Sequence, residues 1–155
     1  MKVEMGIYCK LQDGMGLGNQ LWTLMSTKGI SNRLGMEHYT LGFDNFIAND
    51  FLRVNTNPLH CNVPNLTKKV ERSFYLKELR FQGCLFTDDF FKLSDNRNWL
   101  IEGLLQDERY LKGLSSDLEY VGTNYDDISE FTLVCNVRGG EYRLHPDFQL
   151  LRTYW

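Results

Sequence analysis

No apolar run in the sequence approaches the roughly 18–20 residues that cross a bilayer as a helix, and the opening Met1-Lys2-Val3-Glu4-Met5 carries no apolar leader segment. A soluble, cytoplasmic protein is the expectation. Basic excess is absent too: 17 Lys and Arg stand against 20 Asp and Glu, a net charge of −3. That balance argues against a nucleic-acid surface or an anionic-membrane anchor. Any anionic ligand then has to be held by a local basic residue. Metal spacing is lacking as well. The four cysteines, at 9, 61, 84 and 135, form no C-x-x-C pair, and His38, His60 and His145 are scattered. Reduced core thiols are expected, and no metal site. The sequence shows no internal repeat and no low-complexity tract.

What is present suits a globular α/β protein. At 155 residues and 43% apolar composition, the chain is one domain long. It can bury roughly 70% of its unfolded surface without a disulfide or metal. It ends on Leu150-Leu151-Arg152-Thr153-Tyr154-Trp155, whereas natural ends more often trail off in polar residues. Two readings fit that end: a C-terminal segment docked on the core, or a truncated chain, which is the one expected here.

Val3, Met5, Ile7, Cys9 and Leu11 alternate with polar or small residues as a period-two strand. Asp13-Gly14-Met15-Gly16-Leu17-Gly18-Asn19 forms a glycine-rich turn, and Leu21, Leu24, Met25, Lys28 and Leu34 predict a helix to about Arg33. Met36–Phe43 reads as a second strand, completing a βαβ unit. Residues 44–65 read as irregular. A helix is expected over Thr67–Leu79, with the sequon-like Asn65-Leu66-Thr67 at its start. Strands follow at Phe81–Phe86 and Trp99–Leu105, then a helix over Asp107–Leu118 and a strand at Phe131–Val137. Alternation of this kind implies a Rossmann-like layered α/β fold with a mainly parallel sheet.

Ligands of open α/β sheets bind outside the carboxyl ends of the strands, and two segments there carry unusual residues. In Gly14-Met15-Gly16-Leu17-Gly18-Asn19-Gln20, the glycines permit close backbone approach and the helix N-terminus offers free N–H groups. It is neither G-x-G-x-x-G nor a Walker loop; a tight connection with Asn19 near the cap explains it equally well. In Asn136-Val137-Arg138-Gly139-Gly140-Glu141-Tyr142, period two puts Asn136 and Arg138 on one side of the strand end. The two glycines leave the Arg138 guanidinium open for bidentate contact with phosphate or carboxylate. Glu141 is placed to orient it or to serve as a base. The competing explanation is a structural Arg–Glu pair at a turn. Asp88-Asp89 and Asp126-Asp127 read as solvated turn residues. Trp22, Trp99 and Tyr8 read as core.

Together the segments say more. Gly16-Leu17-Gly18-Asn19-Gln20-Leu21 resembles the G-L-G-N-Q-L signature of the α-1,2-fucosyltransferase family (glycosyltransferase family 11). Asn136–Tyr142 is similar to that family's H-V-R-R-G-D-Y motif, with Asn136 for the histidine, Gly139 for the second arginine and Glu141 for the aspartate. Between them, Glu102–Leu111 resembles G-Y-F-Q-S-E-K-Y-F, although Gln106 reads as packing rather than chemistry. The resemblance implies the N-terminal half of a GT-B-like glycosyltransferase: residues 1–130 an acceptor-side domain, 131–155 the start of a truncated donor-nucleotide domain. It implies transfer of a sugar, fucose in the standard case, from a GDP-sugar to a carbohydrate hydroxyl, with inversion and no metal cofactor. Arg138 and Glu141 are the expected catalytic residues; Asn136, Arg138, Gly16, Gly18, Asn19 and Gln20 are the expected donor contacts. A non-catalytic carbohydrate- or partner-binding module, or another nucleotide-binding α/β domain, stands as the alternative.

Overall fold

A computed structural model describes residues 5–50, 52–60, 63–76, 81–112, 114 and 118–120. All fall in one compact unit, Met1–Gly122. The expected Phe131–Val137 strand, the residue 130/131 boundary and the sites at 136–141 lie outside the described residues.

The centre is a five-stranded parallel sheet. It is built from β1 (Gly6–Lys10), β2 (Glu37–Leu41), β4 (Asn57–Leu59), β5 (Thr67–Val70) and β8 (Trp99–Glu102), in the order β4-β2-β1-β8-β5. Ile7 pairs with both His38 and Trp99 across the neighbouring strands. β3 (Leu52–Val54) pairs antiparallel with β9 (Leu118–Tyr120), and β6 (Ser73–Leu76) with β7 (Phe81–Cys84).

The expected β1 forms, but its alternation does not separate core from solvent. Gly6 to Cys9 are all buried, because a central parallel strand is covered on both faces. Ile7 packs in a cluster with Ile30, Phe90, Ile101, Leu105 and Tyr110 on the helical face. Tyr8 goes to the other face, stacked on Tyr39 with ring centroids 4.9 Å apart and packed against Leu100.

Helix α1 (Leu17–Leu34) begins after Gly16 and ends at Gly35, whose φ of 64° suits the left-handed cap and whose N–H reaches the carbonyls of Asn32 and Ser31. Its buried set departs from the expected leucine stripe. Leu24 and Ile30 are buried, but so are Thr23, Ser26, Thr27, Gly29 and Ser31. The helix is covered by the sheet and also by the 3₁₀ turns Asp88–Lys92 and Glu108–Tyr110. Small side chains allow that double coverage.

Two expected helices are corrected. Thr67–Leu79 gives β5 and β6 in its described part, with Asn65 in the preceding turn at φ 62°. Thr67 to Val70 alternate half-buried and exposed while pairing with Trp99 to Glu102; ladder formation outweighs a moderate local helix preference. Asp107–Leu118 gives, in its described part, a 3₁₀ turn capped by Asp107 and the start of β9. There Tyr110 is drawn under Phe86, Phe90 and Phe91, and Gly113, Ser115 and Ser116 add little helix propensity. Residues 44–65, expected to be irregular, contain β3 and β4.

Candidate functional site

The chain leaves β1 toward β2 and β4 on one side, while β8 and β5 occupy the other. The carboxyl ends of β1 and β8 therefore mark the point where strand order reverses, the usual place for a ligand crevice. A cleft of about 250 Å³ opens there. One wall comes from the end of β1, the glycine-rich loop and the first turns of α1, contributing Lys10, Gln12, Met15, Asn19 and Thr23. The opposite wall is the end of β8 and its exit, Ile101 to Leu104.

The loop is shaped at Gly14, which sits at φ 79°, a conformation that costs glycine little. Met15 N–H donates to the Gln12 carbonyl at 3.3 Å. Gly16 precedes α1 in an extended conformation, with no side-chain cap and no acidic residue in the first turn. A methyl group at Gly16 or Gly18 would meet nothing within 4 Å. Packing among the described residues thus does not require glycine at either position.

Asn19 and Gln20, adjacent in sequence, have opposite environments. Gln20 is buried, its Nε2 donating to Asn45 O at 2.7 Å and its Oε1 accepting from Ile47 N at 2.9 Å. Its amide ties α1 to the 43–48 loop. Asn19 is exposed on the cleft, where its Oδ1 accepts from Gln106 Nε2 at 3.0 Å. Gln106, read from sequence as a packing residue, is an exposed side chain that fixes the Asn19 carboxamide and leaves Nδ2 for another partner.

Thr23 lies one helical turn beyond Asn19 on the same face. It is 4% exposed, and its sealed Oγ1 has no hydrogen-bond partner among the described residues. The other buried hydroxyls of α1 are all engaged. Ser26 donates to Leu105 O at 2.8 Å, Thr27 to Thr23 O at 2.6 Å, and Ser31 to Lys28 O at 2.8 Å.

The opposite wall departs from strand geometry at Gly103, φ 157°, and Leu105, φ 51°. The expected strand to Leu105 therefore stops at Glu102. Leu105 is pinned at both backbone groups: its N–H donates to Glu71 Oε2 at 2.8 Å, and its carbonyl takes the Ser26 hydroxyl. A methyl group at Gly103 would collide with the Glu71 side chain. Glu71 is 7% exposed, with Oε1 unpartnered among the described residues, and its N–H donates to Glu102 O at 2.8 Å. Among the described residues, the lining carries one cation, Lys10, and one carboxylate, Glu102, the latter paired with Lys68 at 2.9 Å.

A second polar group lies beneath β1 and β2. His38 is 1% exposed, its Nε2 2.9 Å from Thr27 Oγ1 and its Nδ1 2.9 Å from Thr56 Oγ1. Thr27 donates to Thr23 O, so it accepts from Nε2–H, and Nδ1 accepts from Thr56. Thr56 in turn meets Thr40 at 2.7 Å, and Thr40 meets Cys9 Sγ at 3.6 Å. Burial, with Lys28 nearby, pushes the His38 pKa down to about 3, and burial pushes the Cys9 thiol up. A buried neutral thiol and neutral imidazole make a structural network rather than a nucleophile pair.

Of the sequence-derived site residues, the structure brings Asn19 to the cleft, leaves Gly16 and Gly18 exposed outside its lining, and turns Gln20 inward. Asn136, Arg138 and Glu141 lie outside the described residues. Among the described residues, no group of three His, Cys, Asp or Glu could hold a metal, and no helix is long and apolar enough to cross a membrane. Lys10, Thr23 and Gln106 were not legible as site residues, since nothing local distinguishes a cleft threonine from a core one. Gln106 did fall within a family-like segment. No protein-family model matches the chain, and no curated protein or solved structure matches it.

Proposed function

We propose that the chain is glycosyltransferase-like, moving a sugar, with fucose the first choice, from a GDP-sugar to a carbohydrate hydroxyl with inversion. One observation carries the reading. Asn19 of the G-L-G-N-Q-L-like segment and Gln106 of the second family-like segment, 87 residues apart, meet at 3.0 Å on the rim of one cleft. Segments chosen for resemblance alone had no need to meet there.

In this reading the acceptor oxygen attacks the anomeric carbon as the bond to the GDP phosphate breaks. Arg138 binds the departing pyrophosphate and offsets its growing charge. Glu141 takes the acceptor proton. Asn136, Gly16 and Gly18 contact the donor, and Asn19 hydrogen-bonds donor or acceptor.

Calorimetric titration with GDP, UDP and ADP tests the assignment. GDP is expected to bind in preference, and Arg138→Ala to weaken it by about 10- to 100-fold, the scale of a hydrogen bond to a charged group, with an unchanged melting temperature. GDP affinity indifferent to Arg138→Ala would remove the assigned role. It would favour instead a nucleotide-binding α/β domain that uses the glycine-rich loop directly.

A further inference from the structure

We infer that Asp13 is a site of self-modification. Its side chain cyclises on the Gly14 backbone nitrogen, and the main chain passes to the isoaspartyl form, lengthening the turn that carries one wall of the cleft. The inference stands on the turn itself and is independent of the transferase reading.

Aspartate followed by glycine is the pair most open to this reaction, because glycine puts no Cβ beside the attacking nitrogen. Asp13-Gly14 is the single Asp-Gly in the sequence, and Asn-Gly does not occur. In the fold both residues are exposed, in the turn between β1 and α1. Among the described residues neither the Asp13 carboxylate nor the Gly14 N–H has a hydrogen bond or an ion pair. A methyl group at Gly14 would meet nothing within 4 Å, so the space beside the nitrogen is open. The turn also keeps the reactive pair in place, since the φ of 79° at residue 14 favours glycine. Its contacts lie on either side of the pair. Met15 N–H donates to Gln12 O and Gln12 N–H to Met15 Sδ, both at 3.3 Å. They fix the ends of the turn and leave the Asp13 side chain unengaged.

The chemistry needs no co-reactant but water. The lone pair of the Gly14 nitrogen forms a bond to Asp13 Cγ. The carboxyl OH leaves with the amide proton as water, and a cyclic imide remains. Water then adds at either imide carbonyl. Breaking the bond from nitrogen to Cγ restores aspartate. Breaking the bond from nitrogen to the main-chain carbonyl carbon leaves Gly14 attached through Cγ and frees an α-carboxylate. Water lost in the first step returns in the second, so the mass is unchanged while the main chain gains a methylene. That methylene enters between Gln12 and Met15, both of which line the cleft, and it draws apart the two contacts that close the turn.

The test holds the full 155-residue chain in neutral buffer at physiological temperature for several weeks, folded and, in parallel, unfolded in guanidinium chloride. Both samples are digested and mapped by electron-transfer mass spectrometry, which tells aspartyl from isoaspartyl linkages. Isoaspartate at residue 13 is expected in the folded chain at a rate close to that of the unfolded one. Asp95-Asn96, also exposed in a turn but followed by a residue with a side chain, should lag well behind. In NMR spectra of the aged folded protein, the Gln12 and Met15 amide signals should move while those of Ile7 to Cys9 stay. Asp13→Glu keeps the charge but would have to close a six-membered ring, which is far slower; its Gln12 and Met15 signals should hold their fresh positions throughout. Four results overturn the inference: no isoaspartate at residue 13 in the folded chain, equal isoaspartate at residue 95, unmoved Gln12 and Met15 signals in the aged protein, or the same drift of those signals in Asp13→Glu.

Discussion

His38 shows how little of a residue's role its sequence neighbourhood carries. In sequence it had no partner. In the fold it receives two threonine hydroxyl contacts from separate elements, with Cys9 Sγ 3.7 Å away. Its partners stand 11, 18 and 29 residues distant, and no pattern of period two or 3.6 connects them. Its titration gives a prediction. The folded pKa lies near 3, against an unfolded value near 6.5, so the unfolded chain binds more protons between those limits. Stability from neutral His38 is therefore complete above about pH 6.5 and is lost as pH falls toward 3, at roughly 1.4 kcal/mol per unit within the window. Denaturant midpoints measured from pH 7 to pH 4 should fall accordingly. The ¹⁵N shifts of the ring should show an Nε2–H neutral tautomer down to pH 4. An imidazole that titrates near 6.5 in the folded protein would contradict the burial argument.

Elements were legible where local pattern and tertiary context agreed. Strand β1, the glycine-rich turn, α1 and β2 were all readable, because a βαβ unit is specified by contacts close in sequence. β5 was misread as helix, since Lys68 and Lys69 are ordinary helix formers and the strand exists only through its pairing with β8. Within α1, Gly18 and Gly29 look alike in sequence and differ in space. At Gly29 an added methyl group would strike the Tyr110 carbonyl oxygen, a backbone atom that cannot move without shifting its 3₁₀ turn. At Gly18 the methyl group would enter open space. Gly29→Ala is thus expected to destabilise by about 1–3 kcal/mol despite its better helix propensity. Gly18→Ala should be neutral or stabilising by up to about 1 kcal/mol. Urea denaturation of the two variants separates these signs; equal effects would mean that α1 does not pack on the 108–110 turn through Gly29.

At the scale of the molecule, the α/β class and the parallel sheet followed from the alternation of strand and helix patterns, but the strand order did not. The order depends on β5, which was misread, and on β4, a three-residue strand containing Pro58. What the order explains is the rigidity of the cleft. β1 is central, pairs on both edges, and is buried at Gly6 to Cys9; β4 and β5 are the outer strands and keep exposed residues. Both walls of the cleft grow from the central pair, β1 and β8, where a site is held by packing rather than by loop conformation. Native-state hydrogen exchange should report this as a gradient. Amides of Ile7, Tyr8 and Cys9 are expected to open only with global unfolding, and Trp99 to Ile101 nearly so. Amides of Leu59 and of Thr67 to Val70 should exchange through smaller openings of lower free energy. Saturating the cleft with a ligand specific to the folded state would raise the global opening energy by RT ln(1 + [L]/Kd) and slow β1 by the same factor. The outer strands would slow less wherever their local openings leave the cleft intact. Exchange from β1 as fast as from β4 would mean that the walls move independently, and that the cleft owes its shape to the 103–105 loop and Glu71 rather than to the sheet.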